Sequence, residues 1–175
     1  MKFEIKNRWS GEIMFTVEGE AFGVALSLYV QKNSGPYQRA NLTDANLTDA
    51  DLTRANLTRA NLTDADLTVI RDDFWAVLSA APKEVQGLRK AIVEGRIEGS
   101  QYEGECACLV GTIAKVADKH FEKLPVLKPH SSRAAERFFL AIHKGDTPET
   151  SQFSKYVLEW LDEWVKNISE AFVAK

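Results

Sequence analysis

A five-residue unit repeats six times without a gap between residues 40 and 69. Alanine is first in every unit, asparagine or aspartate second, leucine third and threonine fourth. A period of five fits neither the turn of a helix nor the alternation of a strand, so no straight element places all the leucines on one face. The chain must therefore turn once per unit, with leucine and alanine pointing inward. The short polar side chains suit the corners because they bond their own backbone.

These units resemble the pentapeptide-repeat family, whose A-(D/N)-L-x-x units wind into a right-handed quadrilateral β-helix with four units per coil. The resemblance implies about one and a half coils for the six units found here. Repeat architectures need stacked neighbours and caps to close a core, so this segment must lean on its flanks or on a second copy of the chain. Family members thought to mimic duplex DNA are long rods. A segment on the order of 10 Å tall is too short for that role.

Composition bounds the class of protein. A chain of 175 residues with 45% hydrophobic content can bury a core of its own. Charged residues interrupt every long apolar run, and the first residues lack the character of a signal peptide, so we expect a cytoplasmic protein with no membrane partner. The two cysteines, Cys106 and Cys108, are too close in sequence for a disulfide framework, and we expect them to be reduced.

The segments before the repeat predict a small cap. Residues 2–6 and 13–17 alternate in β-rich composition and predict a hairpin. Residues 20–33 have helical spacing of apolar side chains, and Gly35-Pro36 ends the pattern. We expect the apolar face of this helix to cover the open first coil.

Helical patterns dominate the chain after the repeat. The first runs from just after Val69, with Asp72-Asp73 in its first turn, to the Ala81-Pro82 break. The others run over 83–94, 105–119, 133–143 and 149–173. Ser131 or Ser132 is the expected N-cap of the fourth, with Glu136 near the capping-box position. The predicted fold class is α+β. It comprises a hairpin and capping helix over 1–39, a right-handed quadrilateral β-helix segment over 40–69, and an all-helical domain over 70–175.

Two cysteines and three histidines invite a metal or thiol-enzyme interpretation. Within a helix, however, the sulfurs of Cys106 and Cys108 would point about 200° apart, which disfavours one shared metal ion. Cysteine is also among the most buried residue types as a small hydrophobe. A structural role in the core is therefore favoured, while a metal ligand and a nucleophile paired with histidine stay open as alternatives.

Residues 115–144 form a basic stretch, with seven lysines and arginines against three acidic residues. Arg133 and Arg137 are four residues apart on one predicted helix, so both guanidinium groups lie on one face. Together with Lys128 and His130 they form the candidate site for a small anionic ligand. The alternative is a solvated face whose arginines pair with nearby glutamates. Duplex nucleic acid is not an expected partner, because the chain has a net charge of -3 and no recognised binding module.

Two further features predict protein contact. The last helix carries two tryptophans four residues apart, and the repeat presents a regular outward row of threonines and charged residues. The candidate interaction surface consists of Thr48, Thr53, Arg54, Arg59, Trp160 and Trp164. The alternatives are a core role for the tryptophans and a solvated wall for the threonine row.

Two stretches beyond the repeat extend the family resemblance. Residues 104–114 and 137–150 look like the C-terminal region of small pentapeptide-repeat proteins carried by tailed bacteriophages and prophages. That resemblance implies a phage accessory protein, and it brings no catalytic residue or cofactor with it. No catalytic triad, paired-carboxylate motif or cofactor fingerprint occurs in the sequence.

The leading hypothesis is a non-enzymatic homo-oligomer, expected to be a dimer, that inhibits a host defence protein by direct contact. A protein that binds or sequesters a small anion or nucleotide through the basic stretch is the second hypothesis. A cysteine-dependent hydrolase ranks last. No metal and no cofactor are expected.

Overall fold

The computed structural model describes residues 1–35, 38–47, 56–58, 60–101, 104, 107–124, 127–130 and 132–173. The chain forms two compact units. The first comprises Met1–Asp73 with Ser131–Ala141, and the second comprises Phe74–His130 with Ile142–Lys175. Helices and strands both occur, as the predicted fold class requires. The predicted division of the sequence into three segments stays a prediction.

Five strands belong to the described part of the first unit. They are β1 (Lys2–Asn7), β2 (Ile13–Glu18), β3 (Ala40–Asn41), β4 (Ala45–Asn46) and β5 (Ala60–Asn61). β1 and β2 pair antiparallel, which confirms the predicted hairpin. The Oδ1 atom of Asn7 holds the connecting turn, because it accepts hydrogen bonds from the backbone N–H groups of Trp9 and Ser10 at 2.9 and 3.0 Å.

Helices occur before and after the repeat. They are α1 (Phe22–Lys32), α2 (Thr68–Ala80), α3 (Val85–Val93), α4 (Leu109–Val116), α5 (Ala134–Phe139) and α6 (Gln152–Val173), with a short 3-10 helix over Phe121–Lys123. α2 begins earlier than the sequence predicts. The Oδ1 atom of Asp66 accepts from the N–H of Thr68 at 3.1 Å, so the last repeat unit itself opens the helix.

The repeat stacks on itself with a shift of 20 residues. β3 and β5 pair in parallel with Ala40 opposite Ala60, and an isolated parallel bridge joins Asn46 to Asp66. Between these pairs, the N–H of Leu42 donates to the carbonyl of Asn61 at 2.9 Å. Twenty residues are four pentapeptide units, so equivalent positions four units apart lie side by side in register.

The inward and outward positions of the repeat follow the predicted pattern. The buried leucines and alanines are Ala40, Leu42, Ala45, Leu47, Leu57, Ala60, Leu62, Ala65 and Leu67. At the corners, the side chain in the second position accepts from the N–H of the threonine in the fourth. The bonds from Thr43 to Asn41, from Thr58 to Asn56 and from Thr63 to Asn61 measure 3.0 to 3.1 Å. The polar side chains therefore replace the backbone bonds that a regular strand would make.

The hairpin, rather than a helix alone, adjoins the first coil. β1 pairs antiparallel with β4, with Lys6 opposite Asn46, so the strand order of the sheet is β2-β1-β4. α1 contacts both β2 of the hairpin and β3 of the repeat. The expectation that its apolar face covers the coil stays a prediction, and its aromatic side chains lie on the hairpin. The ring of Tyr29 stacks on Phe15 at 4.0 Å. One polar contact joins α1 to the repeat: the Ser27 hydroxyl accepts from the N–H of Asn56 at 2.6 Å.

In the second unit, α3 packs against both α4 and α6. Gly87 permits the close approach to α4, because a Cβ atom at this position would lie 2.3 Å from Cγ1 of Val116. On the side of α6, Nε and Nη2 of Arg89 donate to the two carboxylate oxygens of Asp162 at 2.7 and 3.0 Å. The forked pair links α3 to α6 with two parallel hydrogen bonds.

Candidate interaction surface

Two equivalent corners of the repeat share an unusual backbone conformation. Asp44 and Asp64 have φ angles of 58° and 55°, in the left-handed region. They are 20 residues apart, and the N–H of Asp44 donates to the carbonyl of Thr63 at 3.0 Å. Aspartate tolerates this region better than most residues with a Cβ atom. The fifth position of the unit therefore makes the turn at this corner in both coils.

Arg8, in the hairpin turn, binds this corner of the repeat by hydrogen bonds. Its backbone N–H donates to the carbonyl of Asp44 at 2.8 Å. Its Nη1 atom donates to the carbonyl of Asp64 at 3.1 Å, and its Nη2 atom lies 3.9 Å from Oδ2 of Asp66. Arg8 thus joins the hairpin to both stacked parts of the repeat, to Asp44 through its backbone N–H and to Asp64 and Asp66 through its guanidinium group.

Trp9 is held at the same place with its ring open to solvent. The residue is 74% exposed. Its Nε1 atom nevertheless donates to Oδ1 of Asp44 at 3.2 Å, and the guanidinium carbon of Arg8 lies 4.7 Å from the ring centroid. An exposed indole is normally mobile, but a hydrogen bond and a cation–π contact restrain this one. We call Arg8, Trp9, Asp44, Asp64 and Asp66 the hairpin–corner cluster.

Sequence reasoning missed Trp9 as a surface residue of interest. It predicted a hairpin from residues 2–6 and 13–17 and assigned no binding role to the residues between them. The usable signal is a lone tryptophan between an arginine and a serine in a polar turn, where no apolar periodicity gives the ring a core to enter.

The predicted interaction residues have different locations. Thr48, Thr53, Arg54 and Arg59 lie outside the described residues. Trp160 is only 9% exposed and its carbonyl accepts from Nε1 of Trp75 at 2.9 Å, so it is a core residue of the second unit. Trp164 is partly exposed, and its Nε1 atom donates to the Ser79 hydroxyl at 3.3 Å.

The predicted anion ligands already have partners within the chain. Nε of Arg133 lies 3.7 Å from a carboxylate oxygen of Asp73. The Nζ atom of Lys128 donates to the carbonyls of Glu122 and Leu124 at 2.8 and 3.0 Å. Arg137 and His130 also make contacts within the chain.

The N-terminus of α5 differs from the expected serine cap. Arg133 occupies the N-cap position and makes no side-chain capping bond, and Ser131 lies outside the described residues. Instead, Oδ2 of Asp73 accepts from the N–H of Ala135 at 2.9 Å. A carboxylate distant in sequence therefore satisfies an N–H group that helix geometry leaves unpaired.

A cavity of about 460 Å³ lies beside α4 in the second unit. Its lining residues are Gly104, Ala107, Gly111, Ala114, Lys115, Asp118, Lys119, His120 and Phe121. Ala107, Gly111 and Ala114 are buried, and the charged residues are exposed at the rim. Lys115 donates to the carbonyl of Gly104 at 3.2 Å, and the His120 ring stacks on Phe121 at 4.5 Å. Two lysines against one aspartate make the rim cationic.

The cysteine region does not begin as a helix. Ala107 forms a parallel bridge with Ile97, and Cys108 has the extended backbone of an N-cap residue before α4. The predicted helix start at residue 105 is therefore wrong for the residues that the structure describes here, while Cys106 lies outside them. Cys108 is 4% exposed, as expected of a core cysteine. Among the described side chains, no group of three or more histidines, cysteines and carboxylates is placed to hold a metal ion.

Comparison with known families identifies one segment of the chain. Residues 38–68 match the family model of pentapeptide repeats (8 copies). This segment is thus a pentapeptide-repeat segment, which confirms the sequence resemblance for less than a fifth of the chain. No curated protein and no solved structure shows significant similarity to the chain. Within the described residues, every helix is too short or too polar to span a bilayer.

Proposed function

We propose that this chain is a non-enzymatic protein-binding protein whose pentapeptide-repeat segment is a rigid support for the hairpin–corner cluster. The observation that carries the proposal is Trp9, which is exposed yet held by Asp44 and Arg8. Tryptophan is the residue most enriched among binding hot spots. A restrained indole loses little conformational entropy when a partner encloses it, so more of its apolar burial appears as affinity.

We infer that the repeat winds as a right-handed quadrilateral β-helix of about one and a half coils. The parallel pairs Ala40–Ala60 and Asn46–Asp66 support a coil of four units. The matching left-handed corners at Asp44 and Asp64 support the same period. A coil of this kind has short, stiff sides, which suits a support for a fixed side chain.

The proposed partner is a host protein, with a component of phage defence as the favoured class, and binding inhibits it by contact. Support for this partner comes from the sequence alone: residues 104–114 and 137–150 look like the corresponding region of phage and prophage pentapeptide-repeat proteins. The role of Trp9 as a binding anchor does not depend on this resemblance. An anchor such as Trp9 requires only an apolar pocket on the partner.

Affinity capture with matched variants tests the proposal. Wild type, Trp9→Ala and Leu28→Ala are immobilised and exposed to the same host lysate. Leu28 is the matched control because it is an exposed apolar residue of the same unit, at 55% exposure, away from the hairpin turn. We expect a protein that wild type and the Leu28 variant retain and that the Trp9 variant loses, with affinity reduced at least tenfold in a binding assay with the purified partner.

Equal capture by all three variants would rule out Trp9 as the anchor. Trp9→Phe separates the two features of the site, because it keeps an apolar ring and removes the bond to Asp44. Its affinity should fall between those of wild type and Trp9→Ala. The mass of the purified chain in solution, measured in parallel, tests the predicted homo-oligomer.

The cavity beside α4 favours a second candidate function, the binding of a small anion or nucleotide. Lys115 and Lys119 provide positive charge at its rim, and the stacked rings of His120 and Phe121 offer a planar surface. A thermal-shift screen against nucleotides, with wild type and Lys119→Ala, tests this candidate. A nucleotide-dependent rise in Tm that the variant loses supports it, and the absence of any shift removes it.

A further inference from the structure

β2 is the outer strand of the sheet β2-β1-β4, and half of its backbone groups point away from β1. In an antiparallel ladder, opposite residues alternate between exchanging two hydrogen bonds and exchanging none. Met1 and Gly19 exchange both bonds, at 2.8 and 3.0 Å. Counting along the register from this pair, Glu18 and Thr16 are the residues that exchange none with β1. Their N–H and C=O groups therefore face outward from the sheet.

This edge is accessible. Thr16 and Glu18 are both exposed, and their backbone groups make no hydrogen bond to another residue in the part of the chain that the structure describes. A row of outward N–H and C=O groups on an edge strand is a template for the addition of another strand. β2 is also packed against α1, because the ring of Phe15 stacks on Tyr29.

The charge along the edge indicates what kind of strand fits. Glu12, Glu18 and Glu20 flank it, and all three are exposed. None of them forms an ion pair with a cation among the described residues. Opposite charges on neighbouring strands stabilise their pairing, and like charges directly opposite destabilise it. A strand that carries lysine or arginine therefore complements this edge.

A second copy of the same edge is a poorer occupant. If two β2 strands pair antiparallel about Thr16, the glutamates at and beyond the strand ends, Glu12, Glu18 and Glu20, come close to those of the other copy. The three glutamates on each edge then repel those on the other. The charge pattern thus favours a different chain over self-association at this place.

We propose that the outer edge of β2 binds an extended, basic segment of a partner protein by strand addition. The inference rests on the protein-binding function proposed above and adds the chemistry of one partner segment. It is independent of Trp9, which lies in the turn before β2, so the two proposals fail separately. The added strand gains affinity from backbone hydrogen bonds and selectivity from its cations facing the glutamates.

A designed peptide probes the edge directly. The probe is a fluorescent Lys-Val-Lys-Val-Lys-Val peptide, added to the full chain at low salt and followed by fluorescence anisotropy. A Glu-Val-Glu-Val-Glu-Val peptide is the charge control, and the basic peptide methylated on every backbone nitrogen is the hydrogen-bond control. We expect saturable binding of the basic peptide only. Hydrogen exchange at the amides of Thr16 and Glu18 should slow when it binds, because these N–H groups become bonded.

Charge-reversal variants locate the site. Glu12→Lys with Glu18→Lys should weaken binding of the basic peptide by about ten- to thirtyfold. Both residues are exposed, so the fold should tolerate the change, and circular dichroism checks this. Glu170→Lys on α6 is the matched control with the same substitution at an exposed helical site, and its affinity should equal that of wild type.

Three results would overturn the inference. The first is no binding of the basic peptide at millimolar concentration. The second is equal binding of the methylated peptide, which would show attraction by charge without strand addition. The third is an oligomer in solution that Thr16→Pro converts to monomer with β-structure retained, which would assign the edge to a second copy. If Trp9→Ala abolishes partner capture while the peptide fails to bind, the proposed function stands and this inference falls.

Discussion

Asp44 and Asp64 hold the same left-handed backbone conformation one coil apart, with φ angles of 58° and 55°. The conformation costs about 1–2 kcal/mol for a residue with a Cβ atom. It recurs at the same corner, where the carbonyl groups of both residues also accept hydrogen bonds from Arg8. Among the residues of the repeat that the structure describes, the left-handed φ angles occur only at this corner, which also supports the hairpin.

Substitutions at Asp64 should separate backbone strain from side-chain effects. Its side chain makes no hydrogen bond among the described residues, and its contact with Arg8 uses the carbonyl group, so Gly and Val variants keep that bond. We expect Asp64→Gly to match or exceed wild type in stability, and Asp64→Val to lose about 1–2 kcal/mol. Urea denaturation of the three proteins measures this. Equal stability of the Gly and Val variants would contradict the assigned backbone conformation.

The stacking period predicts which insertions the repeat tolerates. A duplication of residues 45–64 adds four units and keeps every later residue on the same side of the coil. A duplication of residues 60–64 adds one unit and moves the following residues to a different side, so the start of α2 no longer meets its partners. We expect the long insertion to keep cooperative unfolding and the short one to lose it, as measured by circular dichroism during heating. The opposite order would refute a coil of four units.

Gly87 should be intolerant of even the smallest side chain. A Cβ atom there would lie 2.3 Å from a methyl group of Val116, so α3 and α4 would have to separate. Overpacking costs about 1–3 kcal/mol, which exceeds the gain of up to about 1 kcal/mol in helix propensity from Gly to Ala. We therefore expect Gly87→Ala to destabilise the protein in urea denaturation. Val116→Ala in the same chain should restore part of the loss, whereas additive losses would argue against a clash.

Glu98 should make stability sensitive to acid. Burial by itself raises the pKa of its carboxyl group, but hydrogen bonds from Ser100 and from the backbone N–H of Lys144 outweigh it and lower the pKa. A lowered pKa stabilises the fold at neutral pH, and this contribution is lost as pH falls below about 4. The stability difference between wild type and Glu98→Gln should therefore shrink from pH 6 to pH 3. A difference that stays constant over this range would contradict the assignment.

The local features of the chain could be predicted because they depend on neighbouring residues. The period of five predicts that Leu42 and Ala45 are buried. An asparagine two residues before a threonine predicts the side-chain hydrogen bonds at the corners. The hairpin and the helices follow from short-range patterns in the same way. These interactions act within a few residues, so the sequence is sufficient to describe them.

The contacts that join the hairpin to the repeat and Asp73 to α5 could not be predicted, because each joins residues far apart in sequence. Trp9 donates to Asp44, and Asp73 caps the helix at Ala135. No pattern within a window of sequence encodes either pair. The start of α4 is a further case: the bridge between Ile97 and Ala107 competes with helix propensity at residue 107 and prevails.

The antiparallel pairing of β1 with β4 limits how the protein can assemble. Parallel coils with open ends can add further chains end to end, which leads to fibres of undefined length. At Asn46 the edge of the first coil meets a strand that runs in the opposite direction, so another coil cannot continue the parallel stack there. The hairpin therefore blocks the parallel addition of a further chain at this side of the repeat.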